Sequence, residues 1–380
     1  MIRINYLYTI SFVFSFFSSM FISRFIGSPV IYLSLFLPSL LFFLNSINKF
    51  KISIPYFIKS LLVFFSIYFI YSLFLSTDLS STLTYFILWI FNCLVSFSIY
   101  KINNIDNLIS SFLKILLLFS SFSIIFYLTG FLDIPNPFLR YDRNGYVFIL
   151  IVAIAISLFK NKKYYAMVFL INGFFIYSRT FFLMLFAAIL YYCFSKVKFL
   201  KLLKYIFFLT FISLLIIKLN PFLNQRLMSA IVLIEYFIEY FNNNYSLEFA
   251  KGIDDSRRFF VTIANFNLIK YTFPFGTGMG LGNYLNYLNM YSSDFLNYTD
   301  HLGRAHNYYI SFLAEAGVFF FGLTYFIFKP LFLNSNIILK SFYFSLLIGI
   351  ATNEYITSPF FWLLLGLVYR YSLTFKISND

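Results

Sequence analysis

The feature that most restricts the fold of this chain is the recurrence, along its whole length, of apolar runs close to the ~20 residues that a helix needs to cross a bilayer. With 61% hydrophobic and 24% aromatic residues against 11% charged, the composition excludes an ordinary soluble domain, in which about a quarter of residues are charged. Inside a bilayer every backbone polar group must be bonded within the protein, so helices or a closed barrel are the only spanning solutions. Closely spaced segments of alternating polarity are missing, which argues against a barrel. The expected fold class is an all-α polytopic membrane protein, with residues 1–380 forming a single transmembrane domain.

Breaks between the runs place about twelve spans, near residues 5–22, 28–45, 57–75, 84–100, 109–130, 145–159, 164–177, 180–195, 203–218, 308–327, 337–352 and 359–373. The first follows a basic start at Arg3 and has no small-residue cleavage site behind it, so it reads as a span. Linkers carrying Lys49, Lys51, Lys101, Lys160, Lys162, Lys163, Lys196, Lys198, Lys201 and Lys204 fall on the side of the N-terminus. Excess lysine marks that side as cytoplasmic, so both termini are expected there. Residues 219–305 then form one large loop on the opposite, periplasmic face. Cys93 and Cys193 lie inside apolar runs and read as packing residues.

This topology sorts the basic residues. It puts 15 of the 18 lysines on the cytoplasmic side and 8 of the 10 arginines on the other. The formal charge of +14 therefore reports topology and implies no nucleic-acid partner. Arginine suits bidentate capture of phosphate or carboxylate, whereas lysine is a flexible point charge. Arg140, Arg143, Arg179, Arg257, Arg258 and Arg304 thus suggest an anionic ligand handled at the outer face. The alternative for each is a pair with a local acid such as Asp142, Asp254, Asp255 or Asp300.

Arg179 is the sharpest case. The stretch from Tyr164 to Phe194 must hold two short spans if both flanking lysine clusters are cytoplasmic, so the turn Ser178-Arg179-Thr180 is expected to dip below the outer surface. An arginine at that depth needs water or an anion. In the outer loop, "RLMSAIVLIEYFIEYF" carries Glu235 and Glu239 at i,i+4 and suits a helix on the membrane surface. In "DDSRRFF", Asp254 and Asp255 could hold a divalent metal, although local salt bridges to Arg257 and Arg258 are favoured. The glycines at 276, 278, 280 and 282 in "FPFGTGMGLGNY" allow an anion-binding nest, a lid or a tight turn, and their spacing is not the dinucleotide fingerprint.

The stretch "RAHNYYISFLAEAG" places Arg304, His306 and Asn307 where the loop re-enters the membrane. At helical spacing Asn307, Ser311 and Glu315 form one polar stripe. Glu315 lies about 13 Å along the axis from His306 at 1.5 Å per residue. It reads as an anchor for another helix or for an arginine. The chain has two histidines, His301 and His306. Imidazole is suited to general-base work near neutral pH, and His306 is the stronger candidate.

The "YSRT" turn, the loop "SRRFFVTIANFNLIKYTFPFGTGMGLGNY" and the entry segment "RAHNYYISFLAEAGVFFFG", in that order, resemble the O-antigen polymerases and O-antigen ligases of bacterial envelope biosynthesis. The resemblance concentrates in residues 170–325, with "RYDRNGY" in the place of a polar re-entry segment. The H-N-x9-G pattern ending at Gly317 is its most specific piece. The resemblance implies a metal-independent, inverting glycosyltransferase of the bacterial inner membrane. It would use no cofactor and would act on lipid-linked oligosaccharide, donor and acceptor, carried on a polyprenyl pyrophosphate. It also implies a chain-length regulator protein as a partner. His306 would be the general base, and Arg179 with one of Arg257 or Arg258 would hold the pyrophosphate. Arg143, Arg304, Asn307, Gly278 and Gly280 are further substrate-binding candidates.

The run from Gly317 to Gly322 is longer than the glycine spacing of ligases, which favours a polymerase joining repeat units over a ligase transferring glycan to lipid A core. A transporter of an anionic lipid-linked sugar is the alternative from another class. The scarcity of intramembrane carboxylates argues against a proton-driven pump.

Overall fold

The computed structural model describes residues 33–48, 54–132, 143–176, 178–196, 256–293, 304, 307–352 and 355–377, with isolated positions between 6 and 13 and between 228 and 238. Most of the expected span 5–22 and all of 203–218 lie outside the described residues. The described elements are helical, in keeping with the all-α class. They are α1 (Leu33–Asn48), α2 (Tyr56–Leu75), α3 (Leu79–Lys101), α4 (Ile105–Leu128), α5 (Arg143–Phe159), α6 (Lys163–Phe175) and α7 (Arg179–Lys196), then α8 (Ser256–Thr272), α9 (Leu281–Ser292), α10 (Tyr308–Ala316), α11 (Phe319–Phe328), α12 (Ile337–Ile350) and α13 (Pro359–Ile377).

Helices stand at each expected span that falls among the described residues, but their lengths differ. Four of them, α2, α3, α4 and α7, are long and apolar enough to cross a membrane. Others are shorter: α6 has 13 residues, about 20 Å at 1.5 Å per residue, against a hydrocarbon core of about 30 Å. These apolar helices mark a membrane protein. The chain divides into two compact units, residues 1–67, 86–192 and 322–380 forming the first and residues 68–85 and 193–321 the second.

The first unit is organised around α5, which packs against α6, α12 and α13. From Tyr146 to Ile156 every α5 side chain is essentially inaccessible. A helix apolar on all faces belongs in a protein core or in lipid, and here neighbouring helices cover it. Several polar groups in this unit are paired. The Trp362 indole N–H donates to Ile356 O at 2.7 Å, and the Ser96 hydroxyl donates to Trp362 O at 2.7 Å. The C-terminal carbonyls of α3 lack intrahelical donors, and Arg370 supplies them, its Nη1 lying 3.0 Å from Tyr100 O and 2.7 Å from Ile102 O. A cation there also opposes the helix dipole.

The second unit adds detail to one sequence expectation and corrects another. Residues 256–292, inside the segment 219–305 expected as one large loop, contain two helices, α8 and α9. Phe260, Ile263, Ala264 and Leu268 of α8 close on Tyr284 and Leu288 of α9 and on Ala314 of α10. Their spacing of three and four residues is the helical signature. The expected continuous span 308–327 is also broken: α10 ends at Ala316 and α11 begins at Phe319. The apolar run hides the break because glycine lowers helix propensity without interrupting hydropathy.

Candidate functional site

The loop between α8 and α9 and the end of α10 complete each other's hydrogen bonds. Thr277 N–H donates to Ala314 O and Glu315 O, each at 3.1 Å, and Gly278 N–H donates to Glu315 O at 3.0 Å. In return Val318 N–H donates to Pro274 O at 3.0 Å. The α10 carbonyls that a helix end leaves unsatisfied are thereby supplied by the glycine loop. Irregular backbone is tolerated in a membrane protein where such partners bury it.

Close backbone approach explains two of the glycines. Gly276 has φ +78° and Gly317 φ +52°, a region that residues with a Cβ rarely adopt. A Cβ at Gly276 would stand 2.5 Å from Glu315 O, and one at Gly317 would collide with the Pro274 carbonyl oxygen. The Gly317 of the H-N-x9-G pattern is therefore where α10 stops and the loop docks.

The loop also grips the hairpin tip formed by residues 68–85. Met279 N–H donates to the Ser72 hydroxyl at 3.0 Å, and Gly282 N–H donates to the Ser81 hydroxyl at 2.8 Å. The buried Asn283 is the hub. Its Oδ1 accepts from Thr77 N–H at 2.8 Å and Asp78 N–H at 2.6 Å, and its Nδ2 donates to Thr82 Oγ1 and Met279 O, both at 2.7 Å.

The second unit contains a buried charge pair. The Glu315 side chain is 3% exposed and that of Arg304 12%, and Arg304 Nη2 bonds Glu315 Oε2. Glu315 Oε1 accepts from Gly280 N–H at 3.1 Å. The Arg304 guanidinium carbon lies 4.9 Å from the Tyr85 ring centroid and 5.3 Å from that of Tyr284, a cation–π arrangement that offsets part of the cost of removing it from water. Asn307 is the N-cap of α10, its Oδ1 accepting from Tyr309 N–H at 3.0 Å and Ile310 N–H at 3.3 Å. The predicted polar stripe is present: Ser311 and Glu315 are both buried.

Several expected roles change accordingly. Glu315 is the anchor for an arginine, as its depth suggested. Arg304, a substrate-binding candidate, is committed to Glu315. Gly278 and Gly280 do not offer an open anion nest, because each N–H from Phe275 to Gly280 already has an acceptor within the chain. The tight-turn reading of that glycine run is the one realised. Asn307 acts as a helix cap. The sequence missed the roles of Asn283 and Arg370, since a single buried asparagine or a terminal arginine carries no spacing signal.

Of the remaining candidates, Arg179 belongs to the first unit and most others lie outside the described residues. Arg179 is the first residue of α7 and is exposed. Beside it, the Ser178 hydroxyl donates to Asn144 Oδ1 at 2.9 Å, and Thr180 Oγ1 lies 3.4 Å from Thr352 Oγ1. Arg143 opens α5, and Arg257 and Arg258 lie in the first turn of α8; the side chains of all three lie outside the description, as do His301, His306, Asp254 and Asp255 in full.

Comparison with known proteins gives one result with content. A family model described as O-antigen ligase matches residues 164–327. The matched stretch contains Arg179, Arg257, Arg258 and His306 together with the glycine loop and the break at Gly317. It agrees with the resemblance carried by the three motifs. No curated protein and no solved structure matches the chain.

Proposed function

We propose that this chain, whose residues 164–327 match the O-antigen ligase family, is an O-antigen polymerase, joining repeat units carried on polyprenyl pyrophosphate at the periplasmic face of the inner membrane. The observation that carries the reading is that match, because one stretch contains the candidate base and the candidate pyrophosphate-binding arginines in the order of the motifs.

In the proposed reaction an acceptor sugar hydroxyl attacks the anomeric carbon of the donor. The hydroxyl proton passes to His306, the bond from the anomeric carbon to the pyrophosphate oxygen breaks, and the electron pair leaves with the lipid pyrophosphate. A single displacement inverts the anomeric centre. The pyrophosphate is already a good leaving group, so the site has two tasks. Arg179 and one of Arg257 or Arg258 hold the accumulating charge, with charged hydrogen bonds contributing about 1.5–3 kcal/mol each. A positioned base adds about 10²–10⁴-fold. No step requires a metal ion, and a chain-length regulator protein would act on the product length.

A ligase is the second reading, favoured by the description of the matched family and disfavoured by the long run from Gly317 to Gly322. One experiment separates them. Surface polysaccharide from a deletion strain is resolved on a gel after complementation with wild type, His306→Ala or Arg179→Ala, with membrane levels of each protein measured. A ladder that collapses to core plus one repeat in both variants supports the polymerase. Polymerised glycan accumulating on its lipid carrier supports the ligase. A complete ladder with both variants well expressed removes both residues from the site.

A further inference from the structure

We propose that the lobe formed by α8, α9 and the glycine loop is seated in the bilayer, with its aromatic rim at residues 271–291 embedded in the leaflet at the Leu75 end of α2. The occupant assigned to this surface is lipid, and the inference stands independently of the reaction.

The argument starts from α2, whose length and apolar composition suit a membrane crossing. Ile70 and Phe74 stand one turn apart on its exposed side, and Phe74 is 84% exposed. A phenylalanine so placed on a spanning helix meets lipid. Two hydrogen bonds tie the lobe to this end of α2. The Tyr71 hydroxyl donates to Phe275 O at 2.9 Å, and the Tyr287 hydroxyl donates to Leu75 O at 3.3 Å. The apolar exposure continues onto the lobe: Phe275 is 61% and Met290 70% exposed, and Tyr271 and Phe273 are exposed as well.

The rim has the chemistry of a membrane interface. Tyr271, Tyr291 and Tyr287 form a stack with successive ring centroids 5.1 and 6.3 Å apart, and tyrosine collects where an apolar ring meets lipid and its hydroxyl meets water. The Lys270 ammonium lies 6.0 Å from the Tyr271 ring centroid, as expected of a lysine whose stem covers apolar surface while its charge reaches water. Composition separates lipid from other occupants. From Ser256 to Ser292 the chain carries no Asp or Glu, and its charged residues, Arg257, Arg258 and Lys270, are all basic. An average soluble domain is about a quarter charged. A basic, acid-free segment with an aromatic rim suits the boundary between the phosphates and acyl chains of an anionic leaflet. A second copy of the lobe would bring the same positive charge against it.

The test uses the full chain in vesicles of phosphatidylethanolamine and phosphatidylglycerol. In a Cys93→Ala, Cys193→Ala background a nitroxide is attached at Phe275→Cys, at Met290→Cys or, as the reference on α2, at Ile70→Cys. Collisions of each label with oxygen and with a water-soluble nickel chelate are then measured. Oxygen is expected to dominate at all three sites, placing the Phe275 label about 5–10 Å below the lipid phosphates. Dominant nickel collisions at either rim site would overturn the inference and leave the lobe in water. Low collision rates with both reagents at the rim would also overturn it, since protein would then cover that surface. The unsubstituted protein gives a second reading that needs no variant. A lipid-soluble diazirine photolysed in the same vesicles is expected to modify the segment 271–275, and modification of α2 without any between residues 271 and 291 would sink the idea.

Discussion

Two helices of this protein bury their inner residues by different means. In α5, residues Val147 to Ile156 are inaccessible and almost wholly aliphatic, so burial follows from non-directional packing. In α10, Glu315 is equally inaccessible, but it stays buried through Arg304, Gly280 N–H and a helix end completed by the glycine loop. The first arrangement tolerates exchange of similar side chains and carries no chemistry. The second fixes direction and loses its balance when any member is removed.

The comparison predicts unequal sensitivity. Glu315→Ala is expected to have the largest effect, about 3–5 kcal/mol, because it strands a buried guanidinium. The check is the thermal midpoint of the detergent-solubilised protein; a change no larger than that of a conservative α5 variant would remove the distinction. Gly276→Ala is expected to come next. Its φ of +78° and the Glu315 carbonyl oxygen 2.5 Å from the new Cβ combine strain of about 1–2 kcal/mol with overpacking of about 1–3 kcal/mol. The obstructing atom is backbone and has no rotamer to change. A wild-type midpoint in this variant would mean that the loop does not hold the end of α10.

How much of this was legible follows from the same physics. Hydropathy located α1 to α7, α12 and α13, because apolar length is a local property. It missed α8, whose start "SRRFF" looks like a polar loop, although Phe260, Ile263, Ala264 and Leu268 already carried the helical spacing. It missed the break at Gly317 because the cause is distant in sequence, at Pro274 and Gly276. The need for a partner at Glu315 was readable from an isolated intramembrane carboxylate, and an arginine was the expected kind. That the partner is Arg304 was not, since Arg304 had a competing role among the outer arginines. The glycine run was ambiguous for a similar reason: the sequence supplies the permissive backbone, and only the fold decides whether its N–H groups face a ligand or a helix end.

The smallest predicted effect lies in α5 and tests the other side of the comparison. Ile151, fully buried, loses one methyl group in Ile151→Val while its β-branched shape is kept. The cost is the transfer free energy of that group plus a small cavity, about 0.5–1.5 kcal/mol. No hydrogen bond is broken and no direction is set, so the polysaccharide ladder of the complemented strain should match wild type even as the thermal midpoint falls slightly. Glu315→Gln, which changes volume even less, is expected to damage the ladder. If Ile151→Val damaged it as much, side-chain packing in α5 would be as specific as the polar cluster, and chemistry of burial would no longer distinguish the two helices.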